Sequence, residues 1–494
     1  MGSGLSKSRI LAGLQCPRRL WLQSHRPDLA VISEETERAF EVGHAVGEAA
    51  RGLYPQGVLI DMQAGIGPAL AETRRRLATP GDTVLFEATF QREGVLVRAD
   101  LLFKEGDGLR LVEVKASTSL HEHHVADAAV QAWVVTASGL PLRSVALAHI
   151  DNGFVLREDG RLEGLFRTVE LDSEVAALLT KVPGWVRQLR GVLAGDLPAV
   201  EVGDQCFSPY ACEFFGYCGR CKAEYPVMAL PQARRLALDL LREGVTDLRA
   251  VPLERLASER QRRVWRATRR GEAELDPAVG RLVGALPYPR FYLDLETIGA
   301  AVPLWPGTRP YQQLPFQFSC HVQREPGSDA RLEHVEFLDV SGSPPMQPFA
   351  ESLLQAAGDA GPVIVYGSFE GRILGELALM LPELAGGLRA VAARLVDLLA
   401  LVRDHYYHPA MMGSWSLKAV LPTVAPELDY GGLDEVRDGP GAQRAYAELT
   451  GFARADGTEP GEERRDQLRR ALLAYCERDT LALVRLSRFL ETAG

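Results

Sequence analysis

Two carboxylates two residues apart, Asp294 and Glu296 in Phe291-Tyr-Leu-Asp294-Leu-Glu296-Thr297, stand in the second half of this 494-residue chain. Their neighbours are apolar and β-prone, and strand alternation puts both acids on one face. A second pair lies in Leu468-Arg-Arg-Ala-Leu-Leu-Ala-Tyr475-Cys-Glu-Arg-Asp479, whose apolar spacing predicts a helix. Tyr475 and Asp479, four apart, share one face of it. Carboxylates on a strand and a helix can hold two divalent ions between them, and a phenol can orient an attacking water. That donor set suits two-metal hydrolysis of a phosphodiester.

A different constellation occupies the first half. Asp100 falls near the end of an apolar run, Val95-Leu-Val-Arg-Ala-Asp100-Leu-Leu-Phe, and Glu113-Val-Lys115 ends the next one. An Asp and a Glu on adjacent strands can share a divalent cation. Lys115, on the same face as Glu113, can position water or stabilise charge on a phosphate. Gln131, on the following helix, is placed to orient Lys115 or substrate. Only six lysines occur in the chain, so each is worth a role that arginine cannot fill. The cysteines cluster as well: Cys206, Cys212, Cys218 and Cys221 fall within sixteen residues, with Cys16, Cys320 and Cys476 apart. In a reducing compartment such grouping favours a metal or iron–sulfur site over disulfides.

The elements that must carry these residues can be read from periodicity. Helices are predicted over 5–25, bent at Cys16 before Pro17, and over 34–53 and 124–138, with strands over 83–90, 95–103, 109–115 and 143–149, completing one α/β unit. An arginine-rich helical stretch follows, and a second α/β unit begins near 288. This gives a domain over 1–225, a helical connector over 226–285 and a domain over 286–494. The segment 456–466 is polar loop. Arginines between 259 and 270 suit either a phosphate track or a solvated helix face.

A hydrophobic content of 46% and a charged content of 24% are ordinary for a globular chain. No apolar run is long enough to span a membrane and the N-terminus has no secretory pattern, so a cytoplasmic protein without a membrane partner is expected. The net charge of −10 argues against a generally basic coat but leaves room for a local basic channel.

Asp100, Glu113-Val-Lys115 and the bracketing cysteines together resemble the RecB-type PD-(D/E)xK nucleases with an iron–sulfur cluster, including the CRISPR-adaptation and AddB-class exonucleases. The resemblance covers about residues 5–225 and implies a restriction-endonuclease-like fold. It also implies a [4Fe–4S] cluster on Cys16, in Leu14-Gln-Cys16-Pro-Arg-Arg-Leu-Trp, and on Cys206, Cys212 and Cys218. The spacing here is Cys-x5-Cys-x5-Cys where the commoner form is Cys-x2-Cys-x5-Cys. The motif histidine of the second helix is replaced by Gly47, with His44 and Glu48 nearby. Zinc is the alternative cofactor, because Cys218-Gly-Arg-Cys221 is a zinc-type pair and the four downstream thiols could close a tetrathiolate.

Asp294, Glu296, Tyr475 and Asp479 resemble the first and third motifs of the DnaQ-like, DEDD-type 3′–5′ exonucleases in their tyrosine form. The second motif matches Val363-Ile-Val-Tyr366-Gly-Ser-Phe369-Glu370, with Glu370 in place of the usual Asp. Asp397 and Gly413-Ser-Trp-Ser-Leu-Lys418 follow in the family's order. The resemblance implies an RNase H-like domain with a mixed sheet, and Mg²⁺ or Mn²⁺ held by Asp294, Glu296, Glu370 and Asp479. In the first domain the metal would lie on Asp100 and Glu113. The whole order is similar to a bacterial group in which an iron–sulfur RecB-type nuclease is fused to such a domain.

The expectation is therefore a metal-dependent DNA nuclease with two catalytic domains, trimming single-stranded DNA ends in repair or foreign-DNA defence. Rival expectations are an RNA exonuclease, a nucleic-acid-binding scaffold with a catalytically dead first domain, and a cluster-based redox sensor gating the second. Tyr311, Phe316 and Phe318 are candidates for stacking on a terminal base or for simple packing; His321 and His334 are expected to be structural.

Overall fold

The computed structural model describes residues 4–219, 223–327, 332–428, 430–433, 435–452 and 460–493. The chain is α/β and divides into two compact units. One comprises Met1–Cys221 with Ala300–Tyr311, the other Lys222–Gly299 with Gln312–Gly494. No helix among the described residues is long and apolar enough to cross a membrane.

The first unit is built on a seven-stranded sheet. Its strands are β1 (Leu5–Ser6), β2 (Val58–Leu59), β3 (Thr83–Arg92), β4 (Val95–Glu105), β5 (Gly108–Lys115), β6 (Leu142–Ile150) and β7 (Phe166–Glu170). They run in the order β2-β3-β4-β5-β6-β7, with β1 added parallel to β4. β3, β4 and β5 form an antiparallel meander; β6 then lies parallel to β5, the two joined through the helix Glu122–Val135. That helix is buried along most of its length, with Ala128, Ala129, Ala132 and Val135 against Val97, Ala99 and Leu111 of the sheet. Small residues allow the close approach that brings its polar positions to the strand ends.

The single helix expected over 5–25 is two, Lys7–Gln15 and Pro17–His25, parted at Cys16, whose φ of −159° is extended. Pro17 causes the break: its ring disfavours helical backbone in the preceding residue, while its own fixed φ starts the next helix. Residues 300–311 also belong to this unit. Leu156 exchanges backbone hydrogen bonds with Gly307 and Thr308 (2.8 and 3.0 Å), and Tyr311 donates its phenol to the Ala116 carbonyl.

In the second unit, β8 (Glu274–Leu275) pairs with β14 (Tyr406–Tyr407). The main sheet contains β9 (Arg290–Ile298), β10 (Leu314–Gln323), β11 (Leu332–Leu338), β12 (Val363–Val365) and β13 (Leu395–Asp397), in the order β11-β10-β9-β12-β13. The first three are antiparallel; β12 and β13 are parallel to β9. All of β10 is buried, yet it alternates: Phe316, Phe318, Cys320 and Val322 are apolar, while Gln317, Ser319, His321 and Gln323 between them are polar. The long helix Glu462–Glu491 lies against β9 and β10, with Gln317 donating to the Leu472 carbonyl (2.7 Å) and Tyr292 to Ser487 (3.4 Å).

The stretch 226–285, read from sequence as a connector, is part of the second unit's core. Val227, Leu240, Leu248, Val264 and Val283 pack in one cluster with Tyr292, Ile364, Tyr406 and Leu483. Its helices are strongly amphipathic, and an amphipathic helix needs a surface to cover. The arginines of helix Glu259–Arg270 are largely engaged in that packing: Arg260 with Asp404 (3.0 Å), Arg263 with Glu274 (3.4 Å), Arg266 with Glu259 and Glu274 (2.7 and 2.6 Å).

Candidate active site

Strand alternation does what the sequence implies in the second unit. Asp294 and Glu296 project from β9 on the face covered by helix Glu462–Glu491, and Asp479 descends from that helix to meet them. Their carboxylate oxygens lie within 4.8 Å of one another. Asp294 is flanked by the Cys476 thiol, which donates to its Oδ2 (3.5 Å). Tyr430 and Tyr475 both donate to Asp479, so the phenol four residues before Asp479 fixes that carboxylate's orientation. Lys418 places its ammonium 5.6 Å from each of the two tyrosine rings.

Glu370 is in the first turn of helix Phe369–Met380, directly after β12, and is buried. It stands apart from the tight group of three, yet near enough for its charge to act on Asp294 and Glu296. Its Oε2 is buried with no hydrogen-bond partner. Asp397 is spent elsewhere, capping helix Leu398–His405 through Ala400 N–H (3.2 Å).

The electrostatics of this cluster are unbalanced. Burial, then the neighbouring Asp479 and Glu296, raise Asp294 well above the carboxylate range. Burial and Asp479 push Glu296 up to about 8, with Lys418 opposing. Burial, with a smaller push from Asp397, takes Glu370 to about 7, and burial takes Asp479 to about 6 against the two phenols. Three acids held together, a fourth buried near them with an orphaned oxygen, and one lysine nearby match what a divalent cation supplies. The donor set is all oxygen, which suits Mg²⁺ or Mn²⁺.

The first unit solves the same problem differently. The β4–β5 ladder stops at Leu101↔Val112, and beyond it the Asp100 side chain accepts from Val114 N–H (2.8 Å). Glu113 is buried and receives Lys115 (2.5 Å), Gln131 (2.5 Å) and a residue outside the sequence expectation, Lys7 (2.8 Å). Asp127, also not foreseen, receives Lys115 (2.7 Å), Lys7 (3.3 Å) and Gln131 (3.2 Å). Asp100, Glu113, Lys115 and Gln131 are thus brought together as expected, around two ammonium groups.

Two buried carboxylates therefore face two lysines, and charge is closed within the protein. Burial alone would raise Glu113, but Lys115 and Lys7 carry it well below the carboxylate range; burial and Glu113 push Asp100 up to about 8. In this arrangement the ammoniums occupy the carboxylates, and the residues do not fit a divalent ion as they stand. The helix in which Gly47 takes the motif histidine's place brings no imidazole to this group: His44 is exposed and paired loosely with Glu48 (4.0 Å), while Val46 and Ala50 of the same helix face the core. Lys7→Ala is expected to leave Glu113 and Asp127 under-compensated, costing about 1–3 kcal/mol. Denaturant melts would show that loss, and equilibrium dialysis would show Mg²⁺ affinity appearing at Asp100 and Glu113.

The cysteines converge as well. Cys16, Cys206, Cys212 and Cys218 line one cavity, closed by Arg18, Leu22, Phe214 and Phe215. All four thiols are free, and burial raises Cys206, Cys218 and, to about 11, Cys212. The two N-terminal helices are anchored to this segment independently: Gln15 donates to the Gln205 and Tyr210 carbonyls (2.7 Å each), and Arg19 pairs with Glu213 (2.9 Å). Four converging thiols with no mutual bond fit a thiophilic group, either the [4Fe–4S] cluster or zinc. Cys221, the zinc-type partner of Cys218, lies outside the described residues. Cys16→Ser is expected to lower bound iron and sulfide, or bound zinc, as read by elemental analysis of the purified chain.

The stacking candidates are packed: Phe316 and Phe318 are fully buried, and Phe316 lies flat on Tyr446 at 3.9 Å.

A family profile described as a domain of unknown function (DUF2779) matches residues 291–416. The chain is similar to that family across β9 to β13. The match takes in Asp294, Glu296 and Glu370 and ends before Lys418, Tyr475 and Asp479. No curated protein matches the chain.

Lys7, Asp127 and Tyr430 escaped the sequence reading. Lysine scarcity was the available signal for Lys7, and the four-residue step from Asp127 to Gln131 for Asp127. Tyr430 lies in an irregular segment and left none.

Proposed function

We infer that this chain is a metal-dependent phosphodiesterase acting on nucleic-acid ends, with its chemistry in the second unit. The observation carrying this reading is the buried, uncompensated group of Asp294, Glu296 and Asp479, with Glu370 behind it. A sheet of three antiparallel strands extended by two parallel ones, with the acids on its first strand, is compatible with the RNase H-like, DnaQ-type resemblance. Single-stranded DNA, degraded from its 3′ end, is the substrate that resemblance favours.

Bound by these acids, Mg²⁺ or Mn²⁺ would supply Lewis-acid activation of water and neutralise charge on the phosphate. The chain's own groups do the rest. Tyr475 and Tyr430 hold Asp479 in one orientation, and Tyr475 stands at the edge of the cluster where a water would be aligned. Lys418 offers the local positive charge for an anionic substrate.

For the first unit, the closed ion-pair set of Lys7, Lys115, Glu113 and Asp127 favours a second reading: a cysteine-stapled nucleic-acid-binding module without hydrolytic action of its own. The test uses single strands of DNA and RNA, labelled at either end, with Mg²⁺ or Mn²⁺. The expected product is a ladder shortened from the 3′ end of DNA, unchanged in Asp100→Ala. Cleavage of RNA alone would move the substrate to the other polymer. No metal-dependent cleavage of either would sink the reading.

A further inference from the structure

His321 and His334 are register partners on β10 and β11, and their rings stack at 4.6 Å. Glu477, on helix Glu462–Glu491, brings its Oε1 to 4.0 Å from His334 Nδ1. One ligand atom from each of the three lies within 4.8 Å of the others. The three come from three different elements, an arrangement that an ion can tie together.

Each imidazole is also held from behind. His321 Nδ1 lies 2.8 Å from the Thr480 hydroxyl, and His334 Nε2 lies 2.9 Å from the Ser319 hydroxyl. Those two hydroxyls bond one another at 2.7 Å. Metal-bound imidazoles are characteristically fixed in tautomer and direction by such a partner on the other nitrogen. Stacked histidines serving only as packing have no need of a carboxylate across from them. His321 is buried, His334 half-buried and Glu477 exposed, so the group opens to solvent on one side only.

We propose that His321, His334 and Glu477 form a second cation site, separate from the acidic cluster, for an imidazole-preferring ion of the zinc class. Two nitrogens and one carboxylate oxygen select zinc, Fe²⁺ or Ni²⁺ over Mg²⁺, and a fourth position is left to water. The site does not depend on the nuclease reading. Its placement gives it a use all the same: Ser319 is the register partner of Asp294, and Glu477 sits between Tyr475 and Asp479 in sequence. An ion there would clamp the helix that carries Tyr475 and Asp479 to the sheet that carries Asp294.

The test is equilibrium dialysis of the full chain against zinc. His334→Ala is expected to bind one equivalent fewer than the unaltered chain, while Asp294→Asn keeps that equivalent. Thr480→Val should retain it with affinity lowered about 10- to 100-fold, the usual cost of losing a ligand's supporting hydrogen bond. Cobalt substitution gives an independent reading: the lost equivalent should show ligand-field bands without thiolate charge transfer. Equal zinc in His334→Ala and the unaltered chain would overturn the site, as would a thiolate signature on the lost equivalent. Circular dichroism confirms that His334→Ala, at a half-exposed position, remains folded.

Discussion

Asp294→Asn should cut metal-dependent turnover by more than about 100-fold while making the metal-free protein more stable. The floor on activity follows from the fact that disturbing even a ligand's outer partner costs about 10- to 100-fold. Asp294 lies centrally in the acidic group: burial, Asp479, Glu296 and Glu370 all bear on it. The amide keeps the shape of the side chain and can still receive the Cys476 thiol. It removes the charge that Asp479 and Glu296 repel. Activity and stability therefore move in opposite directions, which separates loss of function from loss of fold. Thermal melting without metal, beside hydrolysis with it, checks both signs. A substitution that lowers both, or neither, would place the chemistry elsewhere.

The second large effect is on stability against pH. In the folded chain Glu296 titrates at about 8, Glu370 at about 7 and Asp479 at about 6, all above the values these acids have when unfolded. A carboxyl raised by folding binds its proton more tightly in the native state. Its contribution is fully present below the unfolded value and is lost as pH climbs through the folded one. Metal-free protein should accordingly lose stability progressively from about pH 4, where these acids titrate when unfolded, up to about pH 8. Mg²⁺ or Mn²⁺ competes with those protons, so it should protect little near about pH 5.5 and much near about pH 8. At about a hundredfold excess over its dissociation constant, the ion should raise the second unit's melting temperature by about 5–10 °C at the higher pH. Asp479→Asn should flatten the profile. Differential scanning calorimetry across the range, with and without the ion, reads the effect directly; protection that is constant with pH would mean that the ion binds elsewhere.

What could be read in the sequence was what local periodicity controls. Asp294 and Glu296 share a face because a strand alternates; Tyr475 and Asp479 share one because a helix turns. Both facts are complete within a few residues. Lys7 was hidden because its carboxylate partners arrive 106 residues later at Glu113 and later still at Asp127. No pattern near the N-terminus announces them. Pro17 did signal the bend at Cys16, while the grouping of Cys16 with Cys206, Cys212 and Cys218 came from the family resemblance and not from spacing. Residues 226–285 were misjudged as a connector for the opposite reason. Their helical pattern was plain, but which surface their apolar faces would cover is a tertiary fact. His321 and His334 each look unremarkable along the chain; only the β10–β11 register and the passage of Glu477 bring them into one group.

The short passage Ala300–Tyr311 has a bearing on inheritance. It leaves the second unit immediately after the strand bearing Asp294 and Glu296, contributes backbone bonds to Leu156 in the first, and returns. The chain therefore crosses between its halves three times, and no single cut separates them cleanly. A gene fusion that joins two ready-made cassettes end to end leaves one crossing. Here a recombination event that exchanged either half would strip the first unit of a piece of its own core, around Val46, Phe154 and Leu165, where Ala301 packs. Relatives carrying only one of the halves should show either a loss of this loop or an apolar patch rebuilt where it lay.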